Sequence, residues 1–110
     1  MLNERDRNLI LELKKRLPAD AMAHIRKVIA FGSRVRGQGE DDSDLDLLIL
    51  VDRKTPELVG KIEDIAYQVM WDHDFKPIIS IKVFTEADYR NYLAEGFSFY
   101  KHIEQEGISL

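Results

Sequence analysis

Phe31-Gly32-Ser33-Arg34-Val35-Arg36-Gly37 is followed, after a short acidic stretch, by Ser43-Asp44-Leu45-Asp46-Leu47-Leu48-Ile49. A β-branched, apolar run from Ile25 ends at Phe31 and Gly32, and a second run, Leu45 to Val51, is almost wholly apolar. These read as two strands, the second buried on both faces. The first strand ends in Gly-Ser, where glycine lets the backbone approach a ligand closely. The N–H groups of a short helix opening there suit a phosphate, and the Ser33 hydroxyl adds a donor. A Gly-Ser after a strand also serves as a plain turn.

The second strand opens on Asp44 and Asp46, which share a face because residues two apart in extended chain project the same way. Two adjacent carboxylates repel, and burying either without a positive neighbour is costly. A hard divalent cation is the usual remedy, and magnesium favours one or two carboxylates plus substrate phosphates. A solvated strand end is the alternative. Ten residues separate Gly32-Ser33 from Asp44, so a phosphate turn and a metal pair fall at the ends of consecutive strands. That combination is far more specific than either part.

Outward from this centre, Leu9, Ile10, Leu13 and Leu17 recur at helical spacing, which predicts a helix over about residues 3–17 that Pro18 closes. Thr55-Pro56 is a helix start, hydroxyl at the N-cap and proline at the first position. Leu58, Val59, Ile62, Ile65, Ala66, Val69 and Met70 keep one face of that helix apolar. Ile78 to Phe84 reads as a third strand with Ile79, Ile81 and Val83 on one face. Thr85-Glu86-Ala87-Asp88 is a capping-box pattern opening a further helix. Gly96 breaks it, and Phe99, Tyr100 and Ile103 line a last helix ending at Gly107. The whole chain, residues 1–110, is one domain. Its class is α/β (α+β), a small mixed sheet of three or four strands with helices packed on it.

Composition narrows the function. The net charge is −4, which does not favour nucleic acid or an anionic membrane as partner. Glu40, Asp41, Asp42, Asp44 and Asp46 concentrate that charge; the remainder holds 16 basic against 15 acidic residues. Cysteine is absent, which excludes disulfides, zinc ribbons and thiol nucleophiles. His24, His73 and His102 fit no zinc-ligand spacing. With no spanning segment and no signal-peptide pattern, the expected location is cytoplasmic.

The stretch from Val28 to Val51 resembles the signature of the minimal nucleotidyltransferases of the polymerase-beta superfamily: Gly-Ser, ten residues, Asp-x-Asp. A looser likeness runs on to Phe99-Tyr100-Lys101-His102-Ile103-Glu104-Gln105-Glu106-Gly107-Ile108, similar to the close of these small proteins. The resemblance implies a polymerase-beta-like fold in which Gly32, Ser33 and Ser43 bind the nucleotide. It also implies that Asp44 and Asp46 are the catalytic carboxylates and hold Mg²⁺ against ATP for in-line displacement. Arg34 and Arg36 are placed to balance phosphate charge or to pair with Glu40 to Asp42.

One position departs from the pattern. Family members that transfer nucleotides carry a third acid on the next strand, and counting back from Thr85 that place holds Ser80, with Lys82 on the same face. Serine is uncharged and a weak ligand. Asp72 and Asp74 stand just before the strand as candidate substitutes, with an ordinary solvated loop role as the favoured alternative. Among proteins of this size the resemblance points to the antitoxin of toxin–antitoxin pairs, whose partner is a helical HEPN ribonuclease modified by AMP transfer to a hydroxyl. The terminal aromatics Phe97, Phe99 and Tyr100 offer an interface, with burial in the domain's own core as the commoner fate of such residues, and a homo-oligomer stays open. A competing reading is a catalytically impaired nucleotide-binding protein that neutralises its partner by binding alone. Transfer to a small molecule such as an aminoglycoside ranks last, because it needs an extra helical domain.

Overall fold

A computed structural model describes residues 2–37 and 43–110. Helix α1 (Glu4–Arg16) starts where the Asn3 side chain accepts the Asp6 N–H at 2.7 Å. It ends before Pro18, as its periodicity predicts, and a short helix, α2 (Ala19–Met22), follows. Strand β1 (Ile25–Phe31) leads through the Gly32 turn and the 38–42 segment to β2 (Leu45–Val51). The Thr55 hydroxyl accepts the Leu58 N–H at 3.1 Å and opens α3 (Pro56–Asp72). Strand β3 (Ile79–Thr85) is followed at once by α4 (Glu86–Ala94), whose Thr85 cap accepts the Asp88 N–H at 3.1 Å. Helix α5 (Ser98–Glu106) ends at Gly107, and β4 (Ile108–Ser109) closes the chain.

The four strands lie in the order β3-β2-β1-β4. Strand β1 is antiparallel to both β2 and β4, and β2 is parallel to β3, so the sheet is mixed as expected. A parallel neighbour needs a long crossover, and α3 supplies it. Alternation along the strands splits the apolar residues between two layers. Val28, Ala30, Leu45, Leu47, Ile49, Val51 and Val83 meet α1 and α3, which contribute Leu9, Ile10, Leu13, Ile62 and Val69. On the opposite face Ile29, Leu48 and Leu50 meet Tyr89 of α4 and Ile103 of α5. Helices therefore cover both faces, and β2, buried throughout except at Asp46, is the central layer.

Two short elements carry no sequence signal and were not expected, α2 and β4. The short helix expected after Ser33 is a hydrogen-bonded turn: the N–H groups of Val35 and Arg36 both donate to the Gly32 carbonyl, at 3.2 and 3.3 Å. Among the described residues no helix is long and apolar enough to cross a membrane.

Candidate functional site

The register sets three residues in one row across the sheet: Phe31 of β1, Asp46 of β2 and Ser80 of β3. The next row is Ile29, Leu48 and Lys82. Both rows belong to the face covered by α4 and α5, and the first lies at the end where β1 finishes and β2 and β3 begin. There the sheet meets the Gly32 turn.

Gly32 adopts φ +86°, a left-handed conformation that disfavours side chains. A Cβ built on it would stand 2.5 Å from Asp46 Oδ2. Glycine is thus required twice, for the turn and for the carboxylate lying against its bare Cα. The contact joins the two halves of the motif in space. Asp46 is half-buried and Asp44 exposed. Burial, and next the Asp44 charge, push the Asp46 carboxyl above its ordinary 3.8, while Lys82 pulls it back. Among the described residues neither acid is taken up by an ion pair or side-chain hydrogen bond. No cluster of three or more His, Asp or Glu forms among them either. The pair therefore suits a hard divalent cation whose remaining ligands are water and phosphate oxygens.

Arg34 does something else. Its side chain is only 8 % exposed, and its Nη1 donates to Asp6 Oδ2 at 3.0 Å while its Nε donates to the Ser43 carbonyl at 2.9 Å. Asp6, 1 % exposed, sits on the apolar stripe of α1 with Leu9, Ile10 and Leu13. One guanidinium therefore ties α1 to both ends of the Gly32–Ser43 connection, two residues after Gly32 and directly before Asp44. Arg34 is thus a positioning group; Glu40 to Asp42, its other expected partners, lie outside the described residues. Arg36 reaches Glu106 of α5 at 3.4 Å. Asp6 was missed as a site residue, although an acid at a core position of a helix, three and four residues before Leu9 and Ile10, is itself a signal of a buried partner.

Ser80 stands directly across from Asp46, where counting along the strand placed it. Neither proposed substitute joins the row. Asp72 pairs with Arg16 of α1 at 2.8 Å, in the layer behind the sheet, and Asp74 lies in the connection that follows α3. Phe99 packs edge-on against Phe31, with ring centroids 5.7 Å apart, so the aromatic start of α5 borders the same end of the sheet.

A family model described as nucleotidyltransferase domain matches residues 7–105. In shape the chain is similar to one chain of the crystal structure of a toxin–antitoxin MntA–HpeT mutant, with a TM-score of 0.53 and 17 % identity. That superposition covers 100 % of this chain and 72 % of the other, and at this identity it is a likeness of fold. No curated protein matches the sequence.

Proposed function

The chain belongs to the nucleotidyltransferase domain family, and on that premise we propose that it binds ATP with Mg²⁺ at the Gly32–Asp46 site and transfers AMP to a hydroxyl of a partner protein. The observation that carries this reading is the Asp46 carboxylate lying against Gly32, with a Cβ there meeting Oδ2 at 2.5 Å. It supports a phosphate-binding turn next to carboxylates that hold a metal. Gly32 and Ser33 approach the triphosphate, Ser43 borders it from the far end of the connection, and Asp44 and Asp46 hold the cation, which neutralises phosphate charge when bound. In the transfer, the acceptor oxygen bonds to the α-phosphorus and the α–β anhydride bond breaks. Pyrophosphate leaves with the bonding electrons, and the hydroxyl proton passes to water. The residues of this chain orient the reaction in line.

The partner reading is an antitoxin that acts on a toxin, supported by the likeness to a toxin–antitoxin structure; that the toxin is a helical HEPN ribonuclease follows from the sequence resemblance alone. Exposed aromatic surface supports a protein partner too. Tyr67, Trp71 and Phe75 form a mutually packed cluster on and after α3, with Trp71 65 % exposed. Phe97 and Phe99 are exposed at the start of α5.

Calorimetry with ATP tests the site: Mg²⁺-dependent binding is expected, and equal binding in EDTA overturns the cation bridge. Ser80 opposite Asp46 favours a second reading, a nucleotide-binding protein that neutralises its partner without transfer. Labelled ATP, Mg²⁺ and a co-expressed helical partner separate the two. Label on the partner supports transfer, and Ser80→Asp then raises its rate. A stable but unlabelled complex supports the second reading.

A further inference from the structure

The row that lacks a third carboxylate is followed on the same strand and face by a lysine. Ser80 pairs in register with Asp46, and Lys82, two residues on, pairs with Leu48. Lys82 is exposed and, among the described residues, makes no ion pair or hydrogen bond. Its charge is nevertheless felt at Asp46, where it opposes the combined effect of burial and Asp44. A long, unpaired ammonium thus projects from the face that carries the two site carboxylates.

Charge decides what such a face can hold. Two aspartates and one lysine sum to −1. One divalent cation turns that into a net positive site, attractive to a triphosphate. A second would face an ammonium and find only an uncharged serine as ligand on β3, so this chain offers it repulsion and no further carboxylate, leaving the phosphates as its only anionic ligands. Resting on the nucleotide-binding reading above, we propose that Lys82 supplies the positive charge that a second cation would otherwise supply, contacting the triphosphate through Nζ, so that the site takes one divalent cation per bound nucleotide. The lysine and the serine are then two parts of one arrangement: the strand gives up a ligand for a metal and gains a fixed cation in its neighbourhood. Lysine suits this role as a compact point charge on a flexible stem.

The test uses the full chain with Mn²⁺ and the non-hydrolysable analogue α,β-methylene-ATP. Bound Mn²⁺ is counted by electron paramagnetic resonance and analogue affinity is measured by calorimetry. The wild type is expected to hold one Mn²⁺ per bound analogue. Lys82→Ala should weaken analogue binding by about tenfold, the scale of one charge-assisted contact, and Lys82→Arg should restore most of it. Lys82 is exposed, so unchanged circular dichroism and melting of both variants accompany that result. Two Mn²⁺ per analogue in the wild type, or undiminished affinity in Lys82→Ala, overturns the assignment of Lys82 while the nucleotide site stands. A wild type that binds no analogue at all overturns the nucleotide site, and the role of Lys82 with it.

Discussion

Acids sit on both sides of the Gly32–Ser43 connection, and the two settings are opposite in design. Behind the sheet, Asp6 is fully enclosed and matched by Arg34, itself 8 % exposed and also bonded to the Ser43 carbonyl. In front of it, Asp44 and Asp46 stand together with no cation in contact among the described residues. The buried ion pair holds backbone in place through Asp6 Oδ2, although Asp6 Oδ1 has no hydrogen-bond partner among the described residues. On the proposed function, two carboxylates left to repel each other keep a position for a cation that arrives with the nucleotide. Because one arginine fastens both ends of the connection, the paired acid positions the unpaired ones.

The sharpest way to break that contrast is to remove the matched acid. Asp6→Ala removes the carboxylate that faces the buried Arg34 charge, and urea unfolding should show a loss of roughly 3–5 kcal/mol. Replacing both partners by apolar residues, Asp6→Leu with Arg34→Met, should recover most of it. A variant that keeps its stability but loses nucleotide binding would place the pair within the site rather than behind it.

The unmatched acids should show the reverse pattern. Asp44→Asn with Asp46→Asn is expected to lower Mg²⁺-dependent ATP affinity about a hundredfold, the loss of two charge-assisted ligands. Thermal melting should not fall, since no partner is orphaned. A lowered melting temperature with intact binding would make these acids structural.

How far this contrast is legible in sequence differs between its halves. The front half is local: Gly32, Ser33, Asp44 and Asp46 lie in one motif, and period-two alternation alone puts the two acids on one face. The strands β1, β2 and β3 and the Thr55-capped α3 are legible for similar reasons, as apolar runs and a cap are local signals. The Asp6–Arg34 pair joins residues 28 apart through a tertiary contact. Strand order is equally non-local, and the parallel pairing that brings Ser80 to Asp46 becomes visible only in the folded chain. Helix α2, Ala-Asp-Ala-Met, is too short for a periodicity, and β4 is two residues recruited by the exposed side of β1. The aromatic cluster of Tyr67, Trp71 and Phe75 was missed because Tyr67 and Trp71 lie off the apolar stripe of α3, where a composition-based reading expects polar residues.

Gly32 lies against Asp46 and opens the connection that Arg34 fastens, so its substitution sharpens the comparison. Gly32→Ala forces a side chain into a left-handed conformation, at a cost of roughly 1–2 kcal/mol. The new Cβ also meets Asp46 Oδ2 at 2.5 Å and must displace it. A modest fall in stability, measured by urea unfolding, should therefore accompany a loss of Mg-ATP affinity, unlike either set of variants above. Stability lost without any change in affinity would separate the turn from the metal pair.

The smallest effect concerns Asp46 alone, and its sign follows from its setting. Burial first, then the Asp44 charge, raise its carboxyl above the ordinary 3.8, with Lys82 opposing. A carboxyl raised in the folded state holds its proton more tightly there than in the unfolded chain. Its ionisation therefore costs stability at neutral pH, and that cost is relieved as pH falls through the raised value, vanishing below the unfolded one. Asp46→Asn should accordingly melt slightly above the wild type at pH 7, the difference being small because the side chain is only half-buried. The gap should close as pH falls towards 3.8 and below. If the proposed site holds Mg²⁺ and ATP, their addition should reverse the order at pH 7, because only the wild type gains from the bound cation. An asparagine variant that melts below the wild type at pH 7 without ligand would mean that Asp46 is matched within the fold after all, as Asp6 is.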